Sequence, residues 1–283
     1  MADKEPQQPE ELPIVLVHRL PSYTIPLDPS FRDQLRSQFH MLDPHESPEP
    51  YDSFLARHAT FIRVLMTIGH SPISRRVSGA TACFGADSGN NRGIVVTNAS
   101  LAFAEDVADC TVGLLIDVLR RISAADRFVC GRMWPVKENY PLGFKLGGKR
   151  VGIGGLGSIG SEVAKRLLAI AYTSRNKKQS VSFPFYANVR DLGANSDVLV
   201  LCCALTKETY HMINKDVMVA LGKDGVIINP NVPKELFGLD NVVSSPHCPL
   251  MTAESFEALD QLIVVNLKAF FSNKLLVSVV SNE

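Results

Sequence analysis

Beyond Arg190 the chain of 283 residues contains no arginine. Its last third therefore has no guanidinium to grip a carboxylate through two parallel hydrogen bonds. Zinc-type spacing is absent too: the six cysteines (Cys83, Cys110, Cys130, Cys202, Cys203 and Cys248) are scattered, with no CxxC pair and no Cys/His pattern. Cys202 and Cys203 adjoin in an expected strand and so point to opposite sheet faces. Reduced thiols in a cytoplasmic protein are the plain expectation. No apolar run approaches the ~20 residues that span a bilayer; "DVLVLCCAL", among the longest, stops well short. The opening "MADKEPQQPEELP" has no basic segment leading into an apolar one, and it is poor in Arg and Ser, so neither a secretory signal nor a transit peptide is expected. Neither sign of charge dominates, with 29 basic residues against 29 acidic. Nothing in that balance argues for a nucleic-acid surface or an acidic tail.

What is present is a periodic α/β pattern. "IVLVHRL" reads as a strand, "SFRDQLRSQFHML" as a helix and "FIRVLMTIG" as a second strand, followed by "IVVTN" as a third. Between the last two, Ser71 to Gly93 is rich in Gly, Ser and Asn and keeps neither period. A long helix is expected over "AEDVADCTVGLLIDVLRRISAADRFV", where Val107, Val112, Leu115, Val118, Leu119 and Ile122 keep roughly helical spacing. From Lys149 strands alternate with helices: "KRVGIGG", "SIGSEVAKRLLAI", "AYTS", "DVLVLCC", "NKDVMVALGK", "GVIIN", "NVVSS" and a final helix "TAESFEALDQLIVVNLKAFFS". Such alternation indicates an α/β fold with a doubly wound parallel sheet.

The strand "KRVGIGG" runs into Gly155-Leu-Gly157-Ser-Ile-Gly160 and then an amphipathic helix. In that context GxGxxG is a dinucleotide loop. Gly155 permits the tight turn, Gly157 lets the backbone approach a pyrophosphate, and Gly160 lets helix and strand pack closely. The backbone N–H groups of Ser158 and Ile159 open the helix toward the phosphates. After the next strand a carboxylate would bind the ribose 2′-OH of NAD. Here the chain reads Thr173-Ser174-Arg175-Asn176-Lys177-Lys178. A hydroxyl at Ser174 with cations at Arg175 and Lys177 suits a 2′-phosphate, so NADP(H) is expected ahead of NAD(H). Gly160 to Arg175 is fifteen positions, short of the usual ~20, and no Gly, Pro or Asn makes a turn between helix and strand.

Taken together, "EDVADCTVGLLIDVLRR", "LGGKRVGIGGLGSIGSEVAKRL", "YTSRNKK", "NSDVLVLCCALTKETYHMINKDVM", "VPKELFGLDNVVSSPH" and "NLKAFFSNK" resemble the D-isomer-specific 2-hydroxyacid dehydrogenases, above all the plant hydroxyphenylpyruvate and hydroxypyruvate (glyoxylate) reductases. The resemblance implies a Rossmann domain, 99–265, inserted in a discontinuous flavodoxin-like substrate domain, 1–98 plus 266–283. It also implies a homodimer that reduces a small or aryl 2-oxoacid with NAD(P)H. Such chemistry needs an acid for the carbonyl oxygen, and imidazole titrates near neutral pH. A lone loop histidine is otherwise a satisfied structural group. The place of His247 at a strand end in "SSPH", together with the resemblance, gives it the acid role.

The chain departs from that pattern at "GVIINPNVPKELF". Family members follow this strand with an arginine-bearing loop, a helix and a further strand ending in an acidic loop. Here Asn229 joins Pro230 directly, so the arginine and the glutamate of the family's catalytic set are missing. Lys234 and Glu235 match the family's own downstream residues and replace neither; Lys is a poor exchange at a bidentate site in any case. Upstream, Ser78-Gly79-Ala80 stands where the family clamps substrate, without a recognisable helix and strand before it. The stretch from Ser71 to Gly93 is therefore expected to be disordered rather than a clamp. Two expectations follow: a catalytically impaired, cofactor-binding or dimerising variant, and a sheet that ends after "GVIIN" or pairs differently with "NVVSS". Only eleven residues, two of them proline, separate Asn229 from Asn241, and a parallel crossover needs a dozen or more.

Overall fold

The computed structural model describes residues 12–19, 28–58, 61–68, 95–137, 139–204, 206, 208–228, 242–245 and 252–280. They divide into two compact units, one of Met1–Ala99 with Glu257–Glu283 and one of Ser100–Phe256. The stretch from Ser71 to Gly93, the junction at Asn229–Pro230 and His247 lie outside the described residues.

In the first unit β1 (Ile14–Arg19) is flanked by β2 (His40–Leu42) and β3 (Leu65–Ile68) in a parallel sheet of order β2-β1-β3. Alternation along β1 divides the core. Val15 and Val17 pack with Phe31 and Leu35 of α1 (Pro29–Arg36) and with Val264 and Leu267 of α8 (Ala253–Phe271). Leu16 packs on the other face with Phe54 and Leu55 of α2 (Tyr51–His58). A parallel sheet needs this cover on both faces. Asp28 starts α1 by accepting from the Ser30 and Phe31 amides, with Pro29 at the first helical position.

Two expectations are corrected here. The helix expected through Leu42 stops at Arg36, because the His40 amide donates to the Pro13 carbonyl and "HML" joins the sheet as β2. Residues 95–97 do not form a sheet strand. Thr97 makes one antiparallel bridge to Val279, and the Val280 amide donates to the Val96 carbonyl.

In the second unit the sheet is parallel with order β5-β4-β6-β7: β4 (Val151–Gly154), β5 (Ile170–Thr173), β6 (Val198–Leu201) and β7 (Val226–Ile228). α3 (Ser100–Arg120) and α5 (Ser158–Arg166) cover one face, where Ala108, Leu115 and Leu119 meet Ile153, Val163, Val198 and Val200. α6 (Val189–Ala194) and α7 (Lys215–Leu221) cover the other, with Leu192, Val217 and Leu221 around Leu199. Helices on both faces of a parallel sheet make this a doubly wound Rossmann unit.

The expected long helix breaks in two. Arg121 adopts φ 57° between α3 and α4 (Ile122–Cys130). The Asp117 carboxylate takes the Ser123 amide at 2.8 Å and its hydroxyl at 2.5 Å, satisfying the start of α4. The strand expected in "NVVSS" is not formed by residues 242–245, so among the described residues the sheet ends at β7.

Candidate dinucleotide site

β4 delivers the chain to Gly155, whose φ of +97° is left-handed. A Cβ there would lie 2.8–2.9 Å from the N, Cα and Cβ of Cys203, so the backbone after β6 walls the turn. A Cβ on Gly160 would come within 2.1 Å of the Gly155 carbonyl oxygen; helix and strand approach closely only because it is absent. Gly157 differs. A Cβ there meets nothing within 4 Å, its backbone is extended, and it caps α5 without a side-chain hydrogen bond. The first amides of α5, those of Ser158, Ile159 and Gly160, have no acceptor inside the helix. Open space in front of free amides and a positive helix end is the arrangement a pyrophosphate needs. Ile159 also packs its side chain on the core beneath. These residues fit the group.

The selector loop lies beside it. β5 pairs with β4 so that Gly154 faces Thr173, and the Gly155 amide donates to the Thr173 carbonyl at 2.9 Å. The glycine loop and Ser174-Arg175 therefore leave adjacent strands at the same sheet edge, the edge where doubly wound folds bind ligands. The short spacing is absorbed in α5, which ends at Arg166 after nine residues and passes through extended Leu167 into β5. Leu167 is buried, and Leu168 is left 99% exposed by the abrupt crossing. Arg166 anchors this end on Asp109 and Glu162. In the selector loop the Ser174 hydroxyl donates to the Asn176 carbonyl at 2.6 Å, while Arg175, Lys177 and Lys178 are exposed.

Several features of the site escaped the sequence. Cys203 walls the turn, a role visible only once the register of β4 and β6 is known, with the Cys202 amide on the Gly154 carbonyl at 2.8 Å. Burial, reinforced by neighbouring Cys203, pushes the Cys202 thiol up to about 12, and burial raises Cys203 as well. Both stay protonated near neutral pH and offer no thiolate. Asp106 of α3 accepts from the Thr252 hydroxyl at 2.5 Å. The Ser255 side chain beside it and the Thr252 hydroxyl hold this carboxyl below its ordinary range. The chain shortly after His247 is thus tied to α3. Among the described residues no cluster of His, Cys, Asp or Glu could hold a metal ion.

Comparison with known proteins agrees with this geometry. Residues 112–232 match the D-isomer specific 2-hydroxyacid dehydrogenase NAD binding domain. A glyoxylate/hydroxypyruvate reductase of Arabidopsis thaliana is 43% identical over 317 aligned positions, covering 95% of this chain and 97% of the relative. A hydroxyphenylpyruvate reductase of Plectranthus scutellarioides is 40% identical over 219 positions, 65% of this chain and 70% of the relative. In structure, the NADPH-dependent glyoxylate/hydroxypyruvate reductase of Sinorhizobium meliloti, crystallised with NADP and malonate, superposes with a TM-score of 0.76 at 26% identity, over 95% of this chain and 97% of that one. An alignment of 317 positions against a chain of 283 leaves at least 34 positions of the Arabidopsis relative without a counterpart here. Shortened as it is, the chain carries the glycine loop, the parallel sheet and the sequence of these enzymes, and it belongs to the D-isomer-specific 2-hydroxyacid dehydrogenases.

Proposed function

We propose that this chain binds NADP(H), with NAD(H) the weaker ligand, and serves the family reaction, reduction of a 2-oxoacid to the D-2-hydroxyacid. Hydroxypyruvate, glyoxylate and 4-hydroxyphenylpyruvate are the candidate substrates. The observation that carries this reading is the pairing of Gly154 with Thr173, which sets the open glycine loop beside Ser174 and Arg175. Gly155, Gly157 and Gly160 clear the path for the pyrophosphate, and the amides of Ser158 and Ile159 receive it. Ser174, Arg175 and Lys177 receive the 2′-phosphate, and the absence of a carboxylate at the end of β5 removes the group that would select NAD. When bound, the nicotinamide supplies the hydride. His247 protonates the carbonyl oxygen as the alcohol forms. In this reading residues 1–98 with 266–283 are the substrate domain and 99–265 the dinucleotide domain.

A second reading is favoured by a specific observation: the chain has no arginine beyond Arg190, and the Arabidopsis relative has at least 34 positions with no counterpart here. Without a cation on the substrate carboxylate and a carboxylate to tune His247, turnover falls. One lost electrostatic clamp typically costs about 10²- to 10³-fold in rate. The reading that joins both observations is a dinucleotide-binding member of the family with impaired catalysis.

A homodimer belongs to this reading as well. α4 buries none of its residues, and Ile122 and Val129 on it, with Trp134 and Val136 after it, are exposed. A second copy would cover that apolar surface. A cytoplasmic site completes the proposal. Among the described residues no helix is long and apolar enough to cross a membrane.

Calorimetric titration of the purified protein with NADPH and NADH tests the cofactor reading. NADPH is expected to bind at least about tenfold more tightly. Equal affinities would remove the role given to Arg175 and Lys177.

A further inference from the structure

Resting on the NADP(H) reading above, we infer that Tyr172 is a positioning residue for cofactor choice: its buried phenol fixes the loop that presents Arg175 and Lys177 to the 2′-phosphate.

Tyr172 is fully buried in β5, and one residue closes the loop in three ways. Its amide donates to the Pro184 carbonyl at 2.9 Å and its carbonyl accepts the Tyr186 amide at 2.9 Å, so the returning chain is bridged in parallel against β5 at Phe185. Its ring packs against Phe185 with centroids 5.4 Å apart. Its hydroxyl then reaches past the strand end and accepts the Lys178 amide at 2.8 Å. The first two ties close the base of the excursion that begins at Ser174. The third pins its middle, directly after the two cations.

The physical consequence is selective. Arg175, Lys177 and Lys178 are exposed on long side chains, and the excursion packs on the core only further on, at Val181 and Phe183, so no side-chain packing holds the stretch that carries the cations. Ser174 contributes only a local bond to Asn176. Without the phenol oxygen the Lys178 amide turns to water and the loop samples more conformers. A ligand with a 2′-phosphate then has to order it on binding. A ligand without that phosphate makes no use of the loop cations and is indifferent. The glycine loop is untouched, since it is tied to β5 through the Thr173 carbonyl instead.

The test is calorimetric titration of NADPH and NADH into the wild type and into Tyr172→Phe, Arg175→Ala and the double variant. Tyr172→Phe is expected to weaken NADPH about fivefold, the worth of one hydrogen bond, and NADH less than twofold. In the Arg175→Ala background the same change is expected to add less than its own effect, because both act through one loop. Amide hydrogen exchange of the wild type supplies a check that needs no variant: Lys178 is expected to be protected although its side chain is exposed. Equal weakening of both cofactors would make Tyr172 a structural residue and overturn the inference, as would an unchanged NADPH affinity or an unprotected Lys178 amide. A wild type that binds both cofactors alike would defeat the NADP(H) reading itself and this inference with it.

Discussion

Gly157→Ala and Gly160→Ala, two additions of the same methyl group three residues apart, are predicted to fail in opposite ways. At Gly160 the new Cβ would sit 2.1 Å from the Gly155 carbonyl oxygen and 3.2 Å from Ile153 Cγ2. A carbon–oxygen contact needs about 3.3 Å, so α5 must retreat from β4 by roughly 1 Å. That loosens the packing of Val163 against Ile153 and of α5 against α3. Overpacking of this kind costs about 1–3 kcal/mol, which lowers Tm by roughly 5 °C in a chain of this size. At Gly157 the Cβ enters open space, and the backbone there is one any residue adopts. Stability should fall by less than ~1 kcal/mol, the difference between Gly and Ala at an N-cap. Dinucleotide affinity should nevertheless drop by about tenfold or more, because the methyl stands where the pyrophosphate must approach. Thermal unfolding by circular dichroism, with calorimetric NADPH titration of the same samples, reads both quantities. If Gly157→Ala lost as much stability as Gly160→Ala while keeping its NADPH affinity, the loop would be a structural turn and the site assignment would be refuted.

Arg175→Ala is predicted to lower NADPH affinity by about tenfold with little change for NADH, read by the same titration. Alkylation at pH 8 should label exposed Cys130 while Cys202, pushed up to about 12 by burial, stays unmodified; mass spectrometry of a tryptic digest decides. Asp260 is raised to about 6, by burial first and then by the charge of Asp28. Since its folded value lies above its unfolded one, the stability it contributes is present below about pH 4 and is lost as pH rises through about 6. Asp260→Asn should therefore raise Tm more at pH 7.5 than at pH 4.5, and an equal gain at both would contradict this. Sedimentation should show a dimer, and Val129→Asp together with Ile122→Asp should shift it to monomer.

Much of the fold was legible because parallel strands buried on both faces are continuous apolar runs, and the glycine loop sits between a strand and a helix as its chemistry demands. The misreadings have local causes. "HML" continues the apolar spacing of α1, and only the competing ladder to Ile14–Leu16 draws it into the sheet. "IVVTN" has strand composition but is held by isolated pairing with the segment around Val279. The break at Arg121 follows from Asp117 capping Ser123, a contact six residues apart that no periodicity registers. The short crossover into β5 gave no turn residue to read, because α5 ends without one and leaves Leu168 in solvent. The roles of Cys203 and Tyr172 depend on register, which a single strand does not disclose. The absence of arginine beyond Arg190, by contrast, was legible directly, and the aligned relative has positions with no counterpart in this chain.

The central claim is an intact dinucleotide site joined to an incomplete catalytic set. Its most direct test is steady-state NADPH oxidation by monodisperse protein with hydroxypyruvate, alongside NADPH binding and the Arabidopsis relative under the same conditions. The account predicts NADPH affinity within about tenfold of the relative and kcat/KM lower by about 10²-fold or more. Turnover equal to that of the relative would contradict it, because another group would then have to fill the place of the arginine.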